Sequence, residues 1–258
     1  MKTMLPFFLF LLLAGNAEAA LKTEQIEYRH GGAVLQGYLA YDTAFKGKRP
    51  GVLLVHEWWG QNSYVRKRAE QLARLGYVAF ALDMFGKGVL AKTPEQAAEL
   101  VTPLKKDRAL LRARAQAGLA VLVKQQFTDP RRVAAIGYCF GGMTVLELAR
   151  GGAELAGVVS FHGNLDTPHP ADARNIKGKV LVLHGADDPF VPAEHLVAFQ
   201  EEMRKAGVDW QLNKYGGAVH SFTNPEVDAY NLKGAAYNKK ADLRSWEAMK
   251  LFFREIFK

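Results

Sequence analysis

The chain has 258 residues, 49% of them apolar, which fits one α/β domain with a sizeable core and excludes a disordered chain. Its 34 Lys and Arg outnumber 26 Asp and Glu for a net charge of +8. The basic residues are interleaved with acids, without a block of five, which argues against a nucleic-acid partner.

The first segment, MKTMLPFFLFLLLAGNAEAA, has Lys2, an apolar run from Met4 to Ala14, and Ala17-Glu18-Ala19 in the A-x-A cleavage pattern. This predicts a signal peptide at 1–19, a mature domain at 20–258, and export to the periplasm. The run is shorter than the ~20 residues that span a bilayer, so no stable membrane insertion is expected after cleavage. Residues 25–42 alternate around His30-Gly31-Gly32 and predict an N-terminal β-hairpin. GVLLVH at 51–56 is a continuous apolar run, as in a strand buried on both faces. A helix is expected at 63–75, a strand at 77–82, helices at 94–101 and 105–126, and a strand at 132–137. A helix at 141–150, strands at 157–163 and 179–185, a helix after Pro192 and a strand at 209–215 follow. The helix at 241–256 is expected to bury Leu243, Trp246, Met249, Phe253 and Ile256.

Buried strands alternating with helices predict a mainly parallel central sheet with helices on both faces. Ligands of such sheets bind beyond the carboxyl ends of the strands. There the sequence gathers His56-Glu57-Trp58-Trp59-Gly60, Asp83, Gly137-Tyr138-Cys139-Phe140-Gly141, His162-Gly163, Asp187-Asp188 and His220.

GYCFGG, which holds the only cysteine, fits the nucleophile elbow G-x-S-x-G with Cys in place of Ser. Small neighbours let the chain turn sharply from strand to helix. The helix N-terminus favours a thiolate through its dipole and free N–H groups. The Phe140 N–H is one candidate oxyanion donor, and the Trp58 N–H in the loop after the first parallel strand is the other. A cysteine nucleophile needs a base. HGADDPFVP supplies an acid, with Asp187 and Asp188 adjacent and one of them serving the turn; HSF supplies His220. His56, His162 and His184 stand at strand ends and are expected to shape the cleft or satisfy core hydrogen bonds. Trp58, Trp59, Phe85 and Phe190 are candidates for an apolar substrate wall. The histidines show no metal-ligand spacing such as H-E-x-x-H, and neither a metal nor a cofactor is expected.

Together VHEWWG, the Asp-x-Phe stretch at 83–85, GYCFGG, DDPFVP and HSF give the chain a resemblance to dienelactone hydrolases of the α/β-hydrolase superfamily. The resemblance implies an α/β-hydrolase fold. It also implies hydrolysis of a small ester or lactone with Cys139 as nucleophile, Asp188 as acid, His220 as base, and Glu57 as the accessory glutamate that holds the resting thiol. The family's two substrate-gripping arginines are replaced by Lys87 and Asn224, with Phe85 in place of a tyrosine, and these three are candidate substrate contacts. Acyl transfer or thioesterase chemistry on the same site, or a catalytically silent binding protein, are the alternatives.

Overall fold

The alternating stretch at the start pairs with itself. In the computed structural model, which describes residues 20–258, strands β1 (Leu21–His30) and β2 (Ala33–Asp42) form an antiparallel hairpin in which His30 faces Ala33. Gly31 and Gly32 make its two-residue turn with φ of 53° and 81°, as a twist-matched hairpin turn demands. The predicted signal peptide lies outside the described residues.

Six more strands complete the sheet: β3 (Arg49–Val55), β4 (Val78–Ala81), β5 (Thr128–Tyr138), β6 (Gly157–Phe161), β7 (Lys179–Gly185) and β8 (Trp210–Tyr215). Their order is β1-β2-β4-β3-β5-β6-β7-β8. β2 meets β4 antiparallel, and every pairing from β4 to β8 is parallel. This is the α/β-hydrolase architecture expected from the sequence. Parallel pairing requires crossovers, supplied by α1 (Ser63–Arg74), α2 (Pro94–Lys106), α3 (Arg108–Val123), α4 (Phe140–Arg150) and α5 (Ala193–Ala206), with α6 (Lys239–Ile256) closing the chain. Asn62, Thr93, Asp107 and Asn238 cap four of these helices with side-chain oxygens.

Helices α2 to α5 pack on one face of the sheet and α1 and α6 on the other. The core of α6 differs from expectation. Ala241, Ser245, Met249, Phe252 and Phe253 are buried, while Leu243 is 58% exposed. The stripe at spacing four fixes which side meets the sheet, and Leu243 lies two positions off it.

α4 is buried along its whole length. At its far end Arg150 donates to Glu147 at 3.0 Å and, through Nε and Nη2, to both oxygens of Glu202 at 2.8 Å. Arg112 of α3 donates to the other Glu147 oxygen. Buried charges persist only when paired in this way.

Candidate active site

The strand-to-helix turn is as tight as its glycines suggest. A Cβ on Gly137 would lie 2.0 Å from the Gly141 carbonyl oxygen, and one on Gly141 would lie 2.2 Å from that of Val55. Between them Cys139 has φ 54° and ψ −115°, left-handed backbone that a non-glycine residue holds only when its surroundings enforce it. Three of the four non-glycine residues with positive φ among the described residues, Cys139, His162 and Ser221, gather here.

Cys139 Sγ lies 3.0 Å from His220 Nε2, and His220 Nδ1 lies 2.8 Å from Asp188 Oδ2. The other Asp188 oxygen accepts the Phe190 N–H. Asp187 instead accepts the Gly217 N–H, so of the two adjacent aspartates it is the turn residue. Burial works against a charged His220, but attraction to Cys139 and Asp188 outweighs it and pushes the imidazole pKa up to about 10. Among the described residues, neither the Phe140 nor the Trp58 N–H meets a protein acceptor. The first turn of α4 carries no side-chain cap.

Glu57 departs from expectation. It does not hold the thiol, which is turned to His220. Buried at 2% exposure, it accepts from Ser221 Oγ at 2.9 Å and Asn224 Nδ2 at 2.6 Å. Burial raises its pKa, and those two hydrogen bonds partly offset the rise.

Two predicted substrate contacts, Asn224 and Trp59, are corrected by their burial, and Lys87 pairs with the hairpin. Asn224 is fully buried, with Nδ2 on Glu57 and Oδ1 accepting the Glu226 N–H, so it anchors Glu57 instead of facing a ligand. Lys87 is drawn to the outer hairpin by an ion pair with Glu27. Trp59 is buried, its ring stacked on Tyr230 at 3.9 Å, because the neighbouring loop supplies a flat partner. The remaining aromatic residues stay near Cys139 and His220. Phe85 stacks on Phe140 at 5.9 Å and meets His56 edge-on at 4.8 Å. Half-buried Trp58 packs on the same core as Phe85 and Cys139. Phe190, 41% exposed, stands perpendicular to the His220 ring at 5.2 Å.

Of the three strand-end histidines, all expected to shape the cleft or satisfy core hydrogen bonds, His56 and His162 make internal hydrogen bonds. His56 Nε2 accepts the Met84 N–H, and His162 Nδ1 accepts the Cys139 N–H. Burial lowers the pKa of both. His184 is also buried, but its Nδ1 meets no partner among the described residues. Ser221, Thr223, Tyr64 and Arg68 escaped the sequence reading. A signal for Arg68 existed: it occupies the apolar stripe 64/65/68/69/72 of α1, where a cation has to find partners. Among the described residues no cluster of three or more His, Cys, Asp or Glu is placed to hold a metal ion, and no helix is long and apolar enough to cross a membrane.

Comparisons with known proteins agree with this architecture. The model of the dienelactone hydrolase family matches residues 35–257. A solved structure named m3DLH is 46% identical, with a TM-score of 0.90, over 93% of this chain and 100% of its own. A dienelactone hydrolase-like promiscuous phosphotriesterase from metagenomic libraries is 41% identical, with a TM-score of 0.89 and the same coverage of both chains. Protein usf of Aquifex pyrophilus is 28% identical over 237 residues, 90% of this chain and 98% of that protein. The chain thus belongs to the dienelactone hydrolase family, and it is a dienelactone hydrolase-like carboxylic ester hydrolase.

Proposed function

We propose that this hydrolase cleaves small esters or lactones through a thioester on Cys139. His220 holds the Cys139 proton as an imidazolium, and the thiolate adds to the substrate carbonyl. The Phe140 and Trp58 N–H groups receive the oxyanion. As the carbonyl reforms, the C–O bond breaks and His220 gives its proton to the leaving alkoxide. Water then attacks the thioester while His220 takes its proton, and the thiol leaves restored. Asp188 orients His220 and stabilises its charged form. Glu57 acts through the His220 loop, which it ties down by way of Ser221 and Asn224. Phe85, Trp58 and Phe190 supply apolar contact for the substrate. On the strength of the leader at 1–19 the enzyme is read as exported.

The observation that carries the reading is the unbroken Asp188–His220–Cys139 chain of hydrogen bonds at a strained elbow. The neighbour with phosphotriesterase activity favours a second electrophile for the same thiolate, a neutral phosphotriester, which belongs in the substrate panel.

The test is p-nitrophenyl acetate hydrolysis by the mature chain beside Cys139→Ala. Turnover is expected to fall ~10³-fold or more in the variant, with its thermal melt preserved. A variant that keeps its turnover would falsify the mechanism.

A further inference from the structure

The hydrogen bonds at the elbow do not end with the thiol. The Cys139 N–H is shared between the Phe161 carbonyl at 3.0 Å and His162 Nδ1 at 3.1 Å. His162 is fully buried and has φ 39°, so two adjoining residues in left-handed backbone are joined by a hydrogen bond. From its other nitrogen the contacts run outward through buried groups. His162 Nε2 meets Thr223 Oγ1 at 2.7 Å, and Thr223 Oγ1 meets Tyr64 Oη at 2.6 Å. Arg68 donates to Tyr64 Oη at 3.3 Å and to the Thr223 carbonyl at 2.7 Å, and it is ion-paired with Asp242 on α6.

We infer that His162 is a positioning residue for the nucleophile: through Nδ1 it holds the Cys139 N–H, and through Thr223, Tyr64 and Arg68 it is braced against α1 and α6. The direction of each bond follows from chemistry. An amide N–H only donates, so Nδ1 presents its lone pair, the ring proton sits on Nε2, and Thr223 Oγ1 accepts it. A doubly protonated ring would turn an N–H against the Cys139 N–H. Burial and the nearby His220 and Arg68 lower the pKa of His162 and keep it neutral. Left-handed backbone is costly for a non-glycine residue and persists only where its surroundings over-determine it. The two hydrogen bonds on the Cys139 amide supply that determination at the one residue whose side-chain direction decides catalysis.

This inference rests on the reading of Cys139 as nucleophile, and the test separates the two. His162→Asn keeps an acceptor near the Nδ1 position and tolerates left-handed backbone. His162→Leu removes the acceptor. Thr223→Val leaves the imidazole in place and removes the acceptor of its Nε2–H together with the contact to Tyr64 Oη. The measurements are kcat and KM for p-nitrophenyl acetate and the alkylation rate of Cys139 by iodoacetamide, with thermal melts as controls. A displaced nucleophile loses ~10²-fold in rate. His162→Leu is therefore expected to lose ~10- to 100-fold in kcat, with KM within about twofold. His162→Asn is expected to recover most of that loss, and Thr223→Val to fall between them. Wild-type kcat in the leucine variant, or equal losses in the leucine and asparagine variants, would overturn the role. Should His162→Leu fail to fold, Thr223→Val decides, and unchanged kcat and alkylation there would overturn it. If Cys139→Ala kept its turnover, the esterase mechanism would fall instead, and the alkylation rates would still report on the elbow.

Discussion

Cys139 Sγ meets His220 Nε2 at 3.0 Å, while Glu57 commits both carboxylate oxygens to Ser221 and Asn224. The thiol and the Glu57 carboxylate therefore occupy separate hydrogen-bond systems that meet at the His220–Asn224 loop. Substitutions on each side should be separable.

Glu57 is raised by burial above its ordinary value of 4.5. A buried acid of this kind binds its proton more tightly folded than unfolded, so it costs stability as pH rises from about 4.5 through its folded value. Glu57→Gln can keep both hydrogen bonds, its carbonyl oxygen accepting from Asn224 and its amide donating to the Ser221 hydroxyl. The variant is expected to melt higher than wild type at pH 7 and to converge with it near pH 4. Melting curves that stay parallel from pH 4 to 8 would contradict this.

His220 shifts the other way, from 6.5 to about 10, through Cys139 and Asp188, which overcome the cost of burial. A base with a raised folded pKa contributes stability that is complete below about 6.5 and is lost as pH climbs through about 10. Wild type should therefore lose its melting-temperature advantage over His220→Gln between pH 7 and 10. An advantage independent of pH across that window would exclude the charged pair.

Gly141→Ala would drive its Cβ to 2.2 Å from the Val55 carbonyl oxygen, a backbone atom that cannot swing away. The expected cost is ~3 kcal/mol or more, at the upper end for overpacked sites. Urea unfolding measures it, and a loss below ~1 kcal/mol would mean that the elbow yields.

Lys87 is half-exposed and paired with Glu27, so Lys87→Ala should cost under ~1 kcal/mol. It should also change kcat/KM equally for phenyl acetate and for its 4-carboxy derivative. A selective loss on the carboxylate would return Lys87 to the substrate site.

The elbow was legible because its demands are local. Gly137, Gly141 and Gly142 must lack side chains within six residues of chain, and that pattern is visible on one line. The buried runs of β3 and β4 were legible for the same reason, since continuous apolarity follows from burial on both faces. What escaped depends on partners distant in sequence. Lys87 is claimed by Glu27, 60 positions away, and Asn224 by Glu57, 167 positions away. Neither pairing is visible in the sequence around either residue. The residues alone left Asp187 and Asp188 open, and the fold separates them by placing His220 on Asp188 and the Gly217 N–H on Asp187. The face of α6 depended on where the sheet lies, and an apolar Leu243 gave no warning that it would point away from the core.

α4 is fastened at both ends, by the elbow before it and by the Arg150–Glu147–Glu202 cluster at its close. A segment so tied cannot fray independently of the sheet beneath it. Its amide hydrogens beyond the first turn should exchange with deuterium only when the whole molecule opens, at the rate set by global unfolding. The exposed turns at 228–233 should exchange first. Cys139 thereby stands at the head of a helix that opens only with the fold as a whole.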